Sequence, residues 1–244
     1  MAIEYLMEAI LLAARDWGAT DRMVTLFSRE HGIITAMAYD VRKPKNKLGG
    51  GLQPFTHFNL LMTSGKGMDI IKQCEIQTSF KEIREDLTRL AYANFIAELA
   101  IGLWPERQAE PTAYDMLLAI LALLAVRNPR IAALIGAWQL MVLAGFQPEF
   151  EYCTHCGRKL EWPAAFSFAE GGGTCLACSL PDAPVFDRLT KDFLAKLLAI
   201  DLKQPGEFTV HTRLITATES LLYGFVRYQL DRPLKSLDFI NKIK

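Results

Sequence analysis

Histidine is scarce in this 244-residue chain: His31, His57, His155 and His211 stand singly along it and assemble into no acid–base or nucleophile constellation. No HExxH helix, GxSxG elbow, Walker A loop or GxGxxG turn occurs either. Charge of one sign is also missing, because 27 basic side chains balance 27 acidic ones. That balance excludes a uniformly basic nucleic-acid coat and leaves room only for a local patch. The longest apolar stretches, Met116 to Val126 and Ile131 to Leu143, fall short of the ~18 to 20 residues that cross a bilayer, so they read as buried core helices with no membrane role. The N-terminus, Met1-Ala2-Ile3-Glu4-Tyr5, has no basic region, apolar run and small-residue cleavage site of a signal peptide, which predicts the reducing cytoplasm. Internal repeats and low-complexity segments are absent.

Cysteine is sparse too, with five copies, but four of them are patterned. Cys153 and Cys156 form one CxxC pair and Cys175 and Cys178 a second, at a separation suited to two thiolate knuckles closing on one tetrahedral zinc ion. Gly157 and Gly171-Gly172-Gly173 supply the backbone freedom that tight knuckles need. A closed four-cysteine site leaves no position for water or substrate, so the metal is expected to staple the fold and not to perform chemistry. The competing readings are two disulfides or two redox dithiols, the second of which would make the chain a thiol-redox enzyme. His155, inside the first knuckle, is expected to face solvent or a phosphate, and Cys74 is expected to be a buried thiol in an apolar strand.

Residues 1 to 78 read as β. Strand-forming segments Tyr5 to Leu12, Met23 to Phe27, Ile33 to Tyr39, Phe55 to Met62 and Met68 to Ile76 are separated by glycine-containing turns. Five short strands predict a small barrel, of the OB type or, on strand count alone, the SH3-like type. The loop Val41 to Gly51 places four cations, Arg42, Lys43, Lys45 and Lys47, in six positions beside three glycines, a mobile arm able to track phosphates or else a solvated loop. Arg22 and Lys66 are secondary candidates for DNA contact, Arg22 because it neighbours Asp21 and can be a structural pair, Lys66 because it decorates a turn.

From Ser79 the period becomes helical. Ser79 with Glu82 forms a capping-box pattern, Thr112 after Pro111 can cap a helix to Val126, and Asn128-Pro129 offers a cap and first-turn proline for the next helix, ending near Gly145. These last two helices are apolar nearly all round, so Trp138 and Met141 are expected in the core. A zinc module at 150–180 follows, with a short hairpin expected within Trp162 to Phe168, and helical patterns return at Leu189 to Ile200 and Val210 to Leu230. The expected class is α+β: a five-stranded barrel at 1–78, a helical domain in two parts at 79–149 and 181–244, and the four-cysteine module between them.

The ordered motifs Arg15-Asp16-Trp17-Gly18-Ala19-Thr20-Asp21-Arg22, Leu26 to Ile33, Arg42-Lys43-Pro44-Lys45, Leu52-Gln53-Pro54-Phe55, Leu143 to Pro148 with Cys153-Thr154-His155-Cys156-Gly157, Gly171 to Cys178, and Leu234 to Phe239 resemble the RecO family of bacterial recombination mediators. The resemblance runs over nearly the whole chain. It implies an N-terminal OB-fold and a helical domain with a zinc-finger-like insertion. It also implies binding of single- and double-stranded DNA, annealing of complementary strands, and no bond-making activity. As partners it implies the acidic tail of the single-stranded DNA-binding protein, received on the helical domain, together with RecR and RecF in loading RecA, a role that would bring the protein to the nucleoid during repair.

Two positions depart from the family pattern, which usually has glycine at Asp40 and serine or threonine at Asn46. Asp40 sets a carboxylate beside the basic loop and weakens its pull on phosphates. Some members lack the cysteines, so zinc is expected to support the fold without being the source of the shared activity. A zinc-stapled interaction adaptor with incidental DNA binding is the alternative that zero net charge favours.

Overall fold

A strand wetted on one face alternates apolar and polar residues, whereas a strand covered on both faces reads as a continuous apolar run. The first strand, β1 (Glu4–Trp17), carries such a run in Ala9-Ile10-Leu11-Leu12, all four of them buried. The computed structural model describes residues 3–43, 48, 50–65, 67–207 and 211–243. In it Ala9 and Leu11 pack inside a barrel while Ile10 and Leu12 pack against helices.

The barrel is completed by β2 (Asp21–Ser28), β3 (Gly32–Ala38), β4 (His57–Thr63) and β5 (Asp69–Thr78). It is closed, with order β1-β2-β3-β5-β4, β4 returning antiparallel to β1 and β3 meeting β5 in parallel. This is an OB-like arrangement. All five strands that turn punctuation predicts are present, and β1 runs on to Trp17 through a bulge between Leu11 and Ala13. Leu11, Val24, Leu26, Phe58 and Leu60 fill the barrel.

Among the described residues seven helices follow: α1 (Lys81–Glu85), α2 (Leu87–Leu103), α3 (Pro111–Val126), α4 (Pro129–Leu143), α5 (Arg188–Ala199), α6 (Thr212–Leu230) and α7 (Lys235–Ile243). The central one is α4, which touches α2, α3, α5 and α6. Asn128 caps it, its side chain accepting from the N–H groups of Arg130 (3.1 Å) and Ile131 (3.3 Å), and Trp138 and Met141 lie in the core as expected. None of the described helices is long and apolar enough to cross a membrane.

Barrel and helices share one core. Phe27 on β2 stands 6.0 Å from Trp104 and 6.2 Å from Tyr114, ring centre to ring centre, and Ile10, Leu12, Ile33 and Phe55 join the same cluster. The connector between α2 and α3 lies along the start of β3, with the Arg107 N–H donating to the Ile33 carbonyl at 2.9 Å. Gly32 is required there: its φ is +68°, and a Cβ would stand 1.9 Å from the Gln108 carbonyl oxygen.

Three local expectations are corrected. The Ser79–Glu82 capping box does not form, because Phe80 takes the cap position of α1 in a left-handed conformation (φ 43°) with its side chain buried, and no side chain caps that helix. Asp86 instead caps the long helix α2, accepting from the Arg89 N–H at 2.8 Å. Thr112 lies within the first turn of α3, whose first residue is Pro111; a first-turn proline has no N–H to satisfy, and the Glu110 side chain at the cap position does not bond to the helix backbone.

Trp162 to Phe168 supplies one strand and not a hairpin. β6 (Ala164–Ser167) is flanked by β7 (Gly172–Thr174) and β8 (Val185–Phe186) in a three-stranded sheet. Its partners on both edges come from outside the segment, and Ala164, Ala165 and Phe166 are buried on its faces. Phe166 stacks edge-on to Phe225 of α6 at 5.5 Å and ties this sheet to the helices.

Candidate metal centre and nucleic-acid surface

The two CxxC knuckles are built by backbone. Cys153 N–H donates to the Arg158 carbonyl at 2.7 Å and Gly157 N–H, at φ +72°, to the Cys153 carbonyl at 2.8 Å; the second knuckle closes with Cys178 N–H on the Cys175 carbonyl at 2.9 Å. The first knuckle is pinned to β7 by Thr154 N–H on the Gly173 carbonyl at 3.0 Å. The result brings the sulfurs of Cys153, Cys156, Cys175 and Cys178 within 4.8 Å of one another.

The donor set fits zinc. Zn–S bonds of ~2.3 Å place tetrahedral sulfurs about 3.8 Å apart, and the Cys156 and Cys175 sulfurs are 3.9 Å apart. All five cysteines are free thiols. Hydrogen bonding favours thiolate where the metal would need it. The Cys156 thiol is lowered to about 6, first by the Arg158 side chain, whose Nε lies 3.4 Å from its sulfur. Burial works to raise Cys153, but backbone N–H groups of Cys156, Cys175 and His155 outweigh it and lower the thiol. Cys178, hydrogen-bonded to Cys175, is pushed up to about 12.

Arg158 is the member of this site that motif reading missed; its Nη2 also lies 3.8 Å from the Cys175 sulfur. The available signal was a guanidinium two residues after the first knuckle, next to thiolates whose joint charge exceeds that of one divalent ion. His155 is exposed and faces Glu170, with Nδ1 to Oε1 at 3.2 Å, so it is no ligand. Cys74 is half-buried on β5, and burial raises its thiol.

The predicted DNA-contact residues divide. Lys45, Lys47 and Lys66 lie outside the described residues. The other three are each paired with an acid: Arg42 Nε with Asp16 Oδ2 (3.6 Å), Lys43 Nζ with Asp40 Oδ1 (2.7 Å), and Arg22 Nε with Asp16 Oδ1 (3.2 Å). Arg22 also donates to the Leu52 carbonyl at 3.3 Å, at the mouth of the barrel, and its acid is Asp16 rather than the adjacent Asp21. Exposed pairs of this kind are screened by solvent and weak, so a phosphate can displace the carboxylates of Arg42 and Lys43 at small cost. Near the C-terminus Arg227 pairs with Asp238 at 3.6 Å and Arg232 donates to the Glu98 carbonyl at 3.1 Å.

A closed OB-like barrel, fused through a shared core to a helical body that carries four clustered thiols able to hold a metal ion, defines an OB-fold class of protein with a candidate metal site. Residues 1–80 match the family described as recombination protein O N terminal, and residues 84–238 match recombination protein O C terminal. The DNA repair protein RecO of Pelotomaculum thermopropionicum is 36% identical over 240 residues, covering 98% of this chain and 94% of that protein. That of Desulforudis audaxviator is 32% identical over 244 residues, covering 98% and 97%. That of Bacillus mycoides is 35% identical over 170 residues, covering 69% and 68%. The chain belongs to the RecO family, and its role lies in DNA repair and recombination.

Proposed function

We propose that this chain is a recombination mediator. It binds single- and double-stranded DNA, anneals complementary strands and, with RecR, promotes RecA loading on DNA coated by the single-stranded DNA-binding protein, whose acidic tail docks on the helical part. RecF is a further partner, the protein acts in the cytoplasm at the nucleoid, and it makes or breaks no covalent bond. Carrying this reading is the family match across both the N-terminal and the C-terminal part of a chain whose N-terminal part is a closed OB-like barrel. In this reading residues 1–78 form the DNA-binding unit, 79–149 and 181–244 the partner-binding helical unit, and 150–180 a module in which Cys153, Cys156, Cys175 and Cys178 hold one structural zinc.

Arg42, Lys43, Lys45 and Lys47 are proposed to contact phosphates, with Arg22 and Lys66 as lesser contributors. Annealing of complementary oligonucleotides precoated with the single-stranded DNA-binding protein tests the function: the chain should accelerate duplex formation, and no acceleration at any stoichiometry refutes it. Changing the four loop cations to alanine should weaken binding to every sequence alike, with a log-log salt slope shallower by roughly 0.7 for each phosphate no longer held.

One observation favours a second reading, a zinc-stapled adaptor with incidental DNA binding. Arg22 and Arg42 share Asp16 and Lys43 is held by Asp40, so most of the positive charge of these three cations is already offset. Affinity for RecR and the tail peptide that survives the four-alanine change, with DNA binding negligible before and after it, would select the adaptor.

A further inference from the structure

Sheet register separates two faces at the end of the barrel where β1, β2 and β3 meet. Asp16 opposes Arg22, which opposes Ala38, and Ala38 packs inside the barrel. The neighbouring row, Arg15 opposite Met23 opposite Met37, therefore lies on the outer face, since successive residues alternate sides. Trp17, two residues beyond Arg15, continues that face, and so does Tyr39, two beyond Met37 and one past the end of β3. With β2 between them, the two aromatic residues stand two strand spacings apart, about 10 Å.

Both rings are half exposed, Trp17 at 48% and Tyr39 at 49%. Between them on β2 stands Asp21, the register partner of Trp17, whose carboxylate is engaged by the Asp40 N–H at 2.8 Å, and the buried Met37 and half-buried Met23 form the adjoining row. The Arg15 guanidinium lies 5.4 Å from the centre of the Trp17 ring and donates to the Met23 sulfur at 3.0 Å. Unlike Arg22, Arg42 and Lys43, Arg15 has no acid partner among the described residues, nor has the exposed Lys72 on β5, the strand beside β3. Exposed aromatic rings beside cations that lack acid partners are the composition that binds single strands, in which rings stack on bases and cations meet phosphates. The face spanning strands 2 and 3 is also where OB-folds receive oligonucleotides.

We propose that Trp17 and Tyr39 form a stacking shelf for unpaired bases, with Arg15 orienting the indole and meeting the adjacent phosphate. This rests on the DNA-binding reading above and deepens it. A duplex hides its base faces and can use only the cations, so the shelf gives the barrel its preference for single strands, while the loop cations serve both forms.

The test uses the full-length protein with Trp17→Ala, Tyr39→Ala and the double variant, titrated with oligothymidylate and with duplex at two salt concentrations. Each single variant should lose about 5- to 100-fold in single-strand affinity. Duplex affinity, salt slope and thermal midpoint should stay in place. Trp17→Phe should keep most of the affinity but lose the quenching of tryptophan emission that oligothymidylate causes in the parent protein. A double variant that binds single strands as the parent does, or one that loses both DNA forms equally, overturns the shelf. Parent protein that binds neither form removes the DNA-binding reading itself. A dimer of the parent that dissociates on changing Trp17 would assign the face to self-association and also overturn the proposal.

Discussion

Lys43 is held by Asp40: Nζ and Oδ1 are 2.7 Å apart, and the aspartate sits at φ +59°, a backbone region that suits glycine. The Thr20 hydroxyl donates to the same carboxylate oxygen at 3.1 Å, and the bond from Lys43 leads the causes that hold this carboxyl below its ordinary value. Glycine at this position would relieve the backbone and release the lysine together.

Asp40→Gly is therefore expected to raise DNA affinity at low salt, with a salt slope steeper by roughly 0.7 if Lys43 then reaches one phosphate. The thermal midpoint should hold or rise. Fluorescence anisotropy across a salt series measures both, and an unchanged slope would show that Lys43 does not reach DNA.

Replacing Cys153 or Cys175 by serine should release the metal and destabilise the chain by several kcal/mol, because structural zinc binding is largely folding free energy. Arg158→Ala should retain one zinc per chain but weaken its hold by roughly 10- to 100-fold, the usual effect of losing a group that supports a ligand. Competition with a chromogenic chelator reads both. Arg158→Ala protein that surrenders zinc no faster than the parent would show that backbone N–H groups alone stabilise the thiolates.

Arg130 on α4 and Glu219 on α6 form a bidentate pair, at 2.9 and 2.5 Å, and the Glu219 side chain is only 4% exposed. Arg130→Met leaves that carboxylate buried without its cation and should cost about 3 kcal/mol, the low end for a broken buried pair because the Arg130 side chain is 29% exposed. The double change Arg130→Met with Glu219→Leu should recover most of the loss in denaturant unfolding.

High pH should loosen the seam between barrel and connector. Tyr5 donates to Asp69 at 3.0 Å, Arg107 pairs with the same carboxylate at 2.9 Å, and burial first, then Asp69, pushes the Tyr5 phenol up to about 12. The unfolded chain gives up that proton near 10, so the contribution of Tyr5 is complete below pH 10 and lost as pH climbs to about 12. Asp69 has the opposite sense: hydrogen bonds from Tyr5, Arg107 and the Gly65 N–H overcome burial and lower its carboxyl, so its contribution fades as pH falls below the ordinary 3.8. Tyr5→Phe should flatten part of the alkaline decline in thermal midpoint, and an identical decline in both proteins would place the sensitivity elsewhere.

Local chemistry is legible in the sequence wherever one residue settles the backbone. Glycine-bearing turns mark all five barrel strands, Asn128-Pro129 marks the start of α4, and the cysteine spacing marks the knuckles. Positions decided by distant partners are not legible. Phe80 gives up a regular helix start to reach the core, so Asp86 rather than Ser79 caps α2. The sheet around β6 needs β8 from beyond the second knuckle. Helix α7 escapes pattern reading, because nine residues hold few turns; it is fixed by burial of Leu237 and Ile240 and by Glu98, which accepts from the Lys235 and Ser236 N–H groups at 3.1 and 3.0 Å. Arg158 and the Trp17–Tyr39 face depend on chain closure and strand register, which no single stretch of sequence shows.

The wall shared by barrel and helices also orders events at the ribosome. The barrel can close once Thr78 has emerged, yet Ile10, Leu12, Phe27 and Phe55 remain uncovered until Trp104 and Tyr114 follow. At about 5 to 20 residues per second, the stretch from Thr78 to Tyr114 takes roughly 2 to 7 s to synthesise. For those seconds a nascent copy whose barrel has closed leaves an apolar wall uncovered, the kind of surface that makes neighbouring chains on one polysome adhere, until Trp104 and then Tyr114 of α3 cover it.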